Sequence, residues 1–261
     1  MSNEHSWQGE NERGARLYQN GCYIEAEQAF RTALQAAEQF GPTDTRVAVV
    51  LNNLASLYHN QRKLAEAEAL YQRALAIRRQ AYGPQHPMVA QSLNNLASLY
   101  RELGKYPEAE AFLQHALAIA EELVGPHHWR ITNCLNNLAA VYTAQARYAE
   151  ATAFFQRSLT IRQRYFGASD LSVATTLCGL AELAFAQGQY SEAEPLFRRA
   201  LTIREEQLGV EHPVVAVLLE KYAVLLHKTE REAEAVAMEA RVQTIHARQS
   251  QKAPHGDSEH E

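Results

Sequence analysis

Three Leu-Asn-Asn-Leu-Ala strings set paired side-chain amides at Asn52 and Asn53, Asn94 and Asn95, and Asn136 and Asn137. Each amide carries two N–H donors and a carbonyl acceptor. A row of them can therefore hydrogen-bond the backbone N–H and C=O of an extended peptide, whatever its side chains. The same groups can instead bridge neighbouring helices. Asparagine is a poor helix former, up to about 0.7 kcal/mol worse than alanine, so six of them in helix middles point to a use beyond solvation. Ser56 and Ser98 share the face, and His59 and Arg101 follow one turn on. With Lys105, these cations would favour an acidic peptide. The next copy of the string, in the fifth repeat, replaces the amide pair by Cys178 and Gly179, with Glu182 and Phe185 near it. There Gly179 would leave room for a ligand side chain and Phe185 would wall it.

Other chemistries find little support. His86, His128 and His212 recur in a Gly-x-x-His pattern, and Asp44 and Asp170 fill the same slot. That exchange suits a polar cap at a helix start. Copies one helix-packing distance apart, about 8–10 Å, cannot share a metal. Glu66, Glu108, Glu150 and Glu192 recur at the start of a second helix, where a carboxylate meets the helix dipole favourably. The three cysteines, Cys22, Cys134 and Cys178, have neither metal-ligand spacing nor the even count of a disulfide framework. There is no phosphate-binding glycine loop, His-Glu-x-x-His or Gly-x-Ser-x-Gly motif. No catalytic residue, metal or cofactor is expected.

The elements that carry these residues follow from a strict period. The Leu-Asn-Asn-Leu-Ala strings recur every 42 residues, and glycines fall at 41, 83, 125, 167 and 209 in the same step. Six repeats result, at about 7–43, 44–85, 86–127, 128–169, 170–211 and 212–245, followed by a polar tail, 246–261, expected to be disordered. In 86–127, Pro87 suits a first helical turn. Leu93, Leu96, Ala97 and Tyr100 then share one helical face. Gly104 interrupts, Pro107 opens a second helix, and Gly125-Pro126 ends it. Each repeat is thus a helix, a tight turn and a second helix, and the fold is all-α. Alanines at 55, 97, 139, 181 and 223, and at 67, 109, 151, 193 and 235, mark close helix approaches, with tyrosine and phenylalanine beside them.

The combination LNNLA-x-LY, Y-x-EAE, AL-x-I-R and G-x-x-HP resembles the 42-residue tetratricopeptide (TPR) repeats of kinesin light chains and their stand-alone relatives, over residues 7–245. The likeness implies a single right-handed superhelical TPR solenoid over 1–245. It also implies a concave groove in which the paired asparagines hold an extended peptide. No heptad segment for a motor heavy chain accompanies it. A polar outer face on repeat six suggests a C-terminal cap. The expected function is a protein-interaction adaptor. The alternatives are a self-associating scaffold or a recruiting or regulatory subunit of a separate enzyme. The formal charge of −5 argues against nucleic-acid partners. The lack of a long apolar stretch argues against membrane insertion, and the lack of an apolar leader makes the cytoplasm the expected location. Partner identity and oligomeric state are left open.

Overall fold

A computed structural model describes residues 2–252, with side chains over 6–248. The remaining part of the expected tail, 253–261, lies outside the described residues. Twelve α-helices and no strand occur among the described residues. They form six antiparallel hairpins: α1 (Ser2–Gln19) with α2 (Tyr23–Glu38), α3 (Thr45–Asn60) with α4 (Leu64–Tyr82), α5 (Pro87–Glu102) with α6 (Tyr106–Val124), α7 (Thr132–Ala144) with α8 (Tyr148–Phe166), α9 (Leu171–Ala186) with α10 (Tyr190–Leu208), and α11 (Pro213–Lys228) with α12 (Glu232–Lys252). The middle second helices are 19 residues long against 16 for α3, α5 and α9. α12 runs on to Lys252, past the expected boundary at 245. No glycine or proline interrupts His246–Lys252, so nothing stops the helix.

The chain divides into two compact units, Met1–Pro126 and His127–Glu261, where the sequence suggests one body. Each holds three hairpins. In a stack whose hairpins touch only neighbours, any linker can become such a boundary.

The linkers owe their geometry to capping. Asp44, His86, His128, Asp170 and His212 each accept a hydrogen bond from the backbone N–H two residues on. The turn inside each hairpin needs one residue at positive φ. Gly21, Gly104 and Gly188 supply it, but Arg62, Ala146 and Glu230 stand in the equivalent place at φ 61°, 58° and 59°. The ten periodic alanines are all buried, at 2% exposure or less. Tyr58, Tyr71, Tyr100, Tyr142, Phe155 and Phe197 fill the space beside them. Small against large in fixed register gives close packing without voids.

Polar clamps tie one hairpin to the next. The Tyr58 hydroxyl donates to Glu27 at 2.9 Å, and Lys63 lies 3.6 Å from the same carboxylate and 5.0 Å above the Tyr58 ring. Tyr100, Lys105 and Glu68 repeat the arrangement at 2.7 and 3.3 Å. In the second unit Tyr222 and Arg231 converge on Glu194 at 3.0 and 2.8 Å. The Arg231 hydrogen bond holds the Glu194 carboxyl below its usual range. At the α8–α9 junction the corresponding residues are Thr152, Ala184 and Gln189, which cannot form the clamp. Arg162 bridges the helices there, as Arg78 does between α4 and α5 beside the clamp. Its guanidinium donates to Thr132 at 3.0 Å, Thr176 at 3.1 Å and Asn133 at 2.7 Å, and to the Ser172 carbonyl.

Candidate functional site

Helix α3 buries Leu51, Leu54, Ala55 and Tyr58 and leaves Asn53, Ser56 and His59 partly open. The same phase on α5 leaves Asn94, Asn95, Ser98 and Arg101 partly open. The amides meet across the helices. Asn95 donates to the Asn52 carbonyl oxygen at 2.8 Å, and Asn53 donates to Asn11 of α1 at 2.9 Å. Asn52 is only 8% exposed, so its amide serves the helix–helix bridge. Asn53 and Asn95 each spend one N–H on these bonds. Their second N–H and their carbonyl oxygen have no further partner among the described residues. Ser56 shares a 2.8 Å hydrogen bond with the Tyr71 hydroxyl.

The charges on this stripe are less free than their types suggest. His59 Nε2 lies 3.0 Å from the Glu102 carboxylate, with the ring edge-on to Tyr71, and Arg62 pairs with the same glutamate. Lys105 is taken by Glu68 and the Tyr100 ring. Of the three expected cations, only the Arg101 side chain has no hydrogen bond or ion pair among the described residues.

In the second unit, Asn136 donates to the Thr176 hydroxyl at 3.1 Å, and Asn137 is half-buried. Gly179 corrects the expectation of a ligand pocket. A Cβ placed there would lie 2.4 Å from Phe155 Cε1, so the missing side chain admits a ring of the protein itself. Phe185 packs against the core of the last hairpins, its ring 5.4 Å from Tyr190. These two residues therefore do not frame an open cavity.

Two of the three thiols are buried. Burial pushes Cys134 up to about 11, and burial with the Glu182 charge pushes Cys178 up to about 12. Both stay protonated and poorly nucleophilic near neutrality. No group of three or more histidine, cysteine or carboxylate side chains converges as a metal site among the described residues. No helix among them is long and apolar enough to cross a membrane.

The sequence profile described as Tetratricopeptide repeat matches residues 46–122, 130–206 and 173–247, which together span well over half of the chain. The chain belongs to the tetratricopeptide repeat family. Solved TPR-like folds agree with this assignment. BtubC (BKLC) from P. vanneervenii is 21% identical, with a TM-score of 0.65, covering 90% of this chain and 94% of that one. A structure of nearly identical TPR-like repeats from a Podospora anserina protein described as a kinesin light chain is 22% identical, with a TM-score of 0.62, covering 77% of this chain and 97% of that one. A Rap protein complexed with competence and sporulation factor is 17% identical, with a TM-score of 0.74 over 96% of this chain and 66% of its own. At these identities the likeness is one of fold. No curated protein matches the sequence.

Two sets of TPR residues escape a reading by motif. The Tyr–Glu–cation clamps join residues about 30 to 40 positions apart on different hairpins, and only their recurrence every 42 residues hints at them. Arg78 and Arg162 occupy a charged motif position yet are 2% and 3% exposed. Their phase gives them away, since Arg78 shares a face with Ala67, Ala74 and Leu75.

Proposed function

We propose that this TPR protein is a protein–protein interaction adaptor that takes an extended, acidic segment of a partner along the α3–α5 stripe. The observation that carries the reading is the spare capacity of Asn53 and Asn95. Each is fixed in orientation by one bond to a neighbouring helix and keeps a donor and an acceptor for a ligand backbone. Fixing a group beforehand lowers the ordering cost of binding. Asn94 extends the set of candidate amides within this unit, and Ser56 and Ser98 add hydroxyls. Arg101 supplies a positive charge that no carboxylate among the described residues pairs with, which selects an acidic residue in the ligand. The protein recruits rather than catalyses.

Selection of peptides from a random displayed library on the full chain tests this. Acidic sequences should be enriched, and Arg101→Glu should abolish their enrichment. Enrichment of neutral apolar sequences that ignores Arg101 would refute the assignment of the stripe.

A further inference from the structure

Helix α11 has one side exposed among the described residues. Its inner side closes the last core around Leu218, Leu219 and Tyr222. Its outer side carries Val214, Val217 and Val224, exposed by 39%, 50% and 50%, with Glu220 and Lys221 between them. Positions 217, 220, 221 and 224 stand at i, i+3, i+4 and i+7, so they form one stripe. In the preceding three first helices the place of Val217 is held by Gln91, Asn133 and Thr175. In α3, α5 and α9 the place of Val224 is held by Ser56, Ser98 and Glu182. α3 has Val49 in the first place and α7 has Ala140 in the second, but among α3, α5, α7, α9 and α11 only α11 carries valine in both. A solvated helix face gains nothing from valine, which is also a weak helix former.

The stripe is complementary to itself. A twofold axis crossing α11 between Glu220 and Lys221 brings an antiparallel second copy into register. Val217 then faces Val224 of the second copy, and Glu220 faces Lys221. Parallel pairing would set each charge against its own kind. Lys221 already donates to Glu182, and its ammonium keeps two further N–H groups for a partner carboxylate. We propose that the chain forms a weak antiparallel homodimer through α11. A single helix pair covers less than the roughly 1,200 Å² of a stable interface, so the dimer is transient. The proposal does not rest on peptide binding, since it uses no residue of α3 or α5.

Sedimentation equilibrium of the full chain, from about 1 to about 200 μM to bracket a small transient interface, reads the association. The mass should rise from 29.3 kDa toward twice that value. Glu220→Lys should weaken the dimer about fivefold or more by facing lysine with lysine. Adding Lys221→Glu should restore it. Cysteine pairing tests the geometry in a Cys22→Ser background, with Cys134 and Cys178 buried. A mixture of Val217→Cys and Val224→Cys chains should form a disulfide between copies. Neither variant should do so alone, because like positions stand about 10 Å apart along the axis. A mass that stays at the monomer value throughout overturns the proposal. So does indifference to the charge swaps, or cross-linking of either cysteine variant with itself.

Discussion

Arg162 brings a full charge into the second unit with no carboxylate in hydrogen-bonding contact among the described residues. Burial lowers its pKa to about 10, still far enough above neutrality to keep it charged. Hydroxyls, an amide and a carbonyl solvate it in place of water. Arg162→Ala removes the common donor and leaves the buried Thr132 and Thr176 to repartner in a closed space. The expected loss is about 2–4 kcal/mol of unfolding free energy, measured by urea denaturation. At Gly179, as at Gly14, the space for a side chain is taken by an aromatic ring. Gly179→Ala drives a methyl into the Phe155 ring. Since that ring is packed, the expected cost is about 1–3 kcal/mol. An unchanged midpoint for that variant would mean that the ring has room to move. The amides differ in kind from both, because Asn52 is consumed by the fold while Asn53 and Asn95 keep groups for a ligand.

At the scale of elements, the hairpin turn and the last helix each carry a testable feature. Ala146 holds φ 58° where Gly104 and Gly188 hold the same turn without a side chain. A left-handed residue other than glycine costs roughly 1–2 kcal/mol, partly offset by glycine's greater freedom when unfolded. Ala146→Gly should therefore stabilise the protein by up to about 1 kcal/mol, seen as a higher thermal midpoint. The α11–α12 hairpin is joined by His227, whose ring nitrogens meet Glu239 at 2.9 Å and Glu232 at 2.8 Å. Hydrogen bonding to Glu239, then to Glu232, raises the His227 pKa above its ordinary value. A raised folded-state pKa gives stability that is fully present below the unfolded value, near 6.5, and that is lost as pH rises through the folded value. Amide exchange in α12, corrected for its intrinsic pH dependence, should speed up across that window. His227→Gln should remove the effect.

For the molecule as a whole, the period of 42 residues made the helical hairpins legible from sequence, because glycine, alanine and aromatic positions repeat in one register. The capping role of His86, His128 and His212 was legible too, because aspartate takes the same slot. What escaped was contact between repeats. Nothing local to Glu27 announces Tyr58 and Lys63, and nothing local to Gly179 announces Phe155. Pairings of that kind depend on how one hairpin leans on the next, which a motif does not encode. The same gap made His59 and Lys105 look available when Glu102 and Glu68 already face them. The proposed peptide contact thus narrows to a small set of groups on α3 and α5.

Fluorescence anisotropy of a labelled acidic peptide from the library selection, titrated with the full chain, reads those groups directly. Joint replacement of Asn53 and Asn95 by Ala removes two backbone-binding amides, each worth about 0.5–1.5 kcal/mol. The predicted result is at least about fivefold weaker binding, with helical circular dichroism unchanged. Undiminished affinity in that folded variant would contradict the assignment of the α3–α5 stripe as the peptide-binding surface.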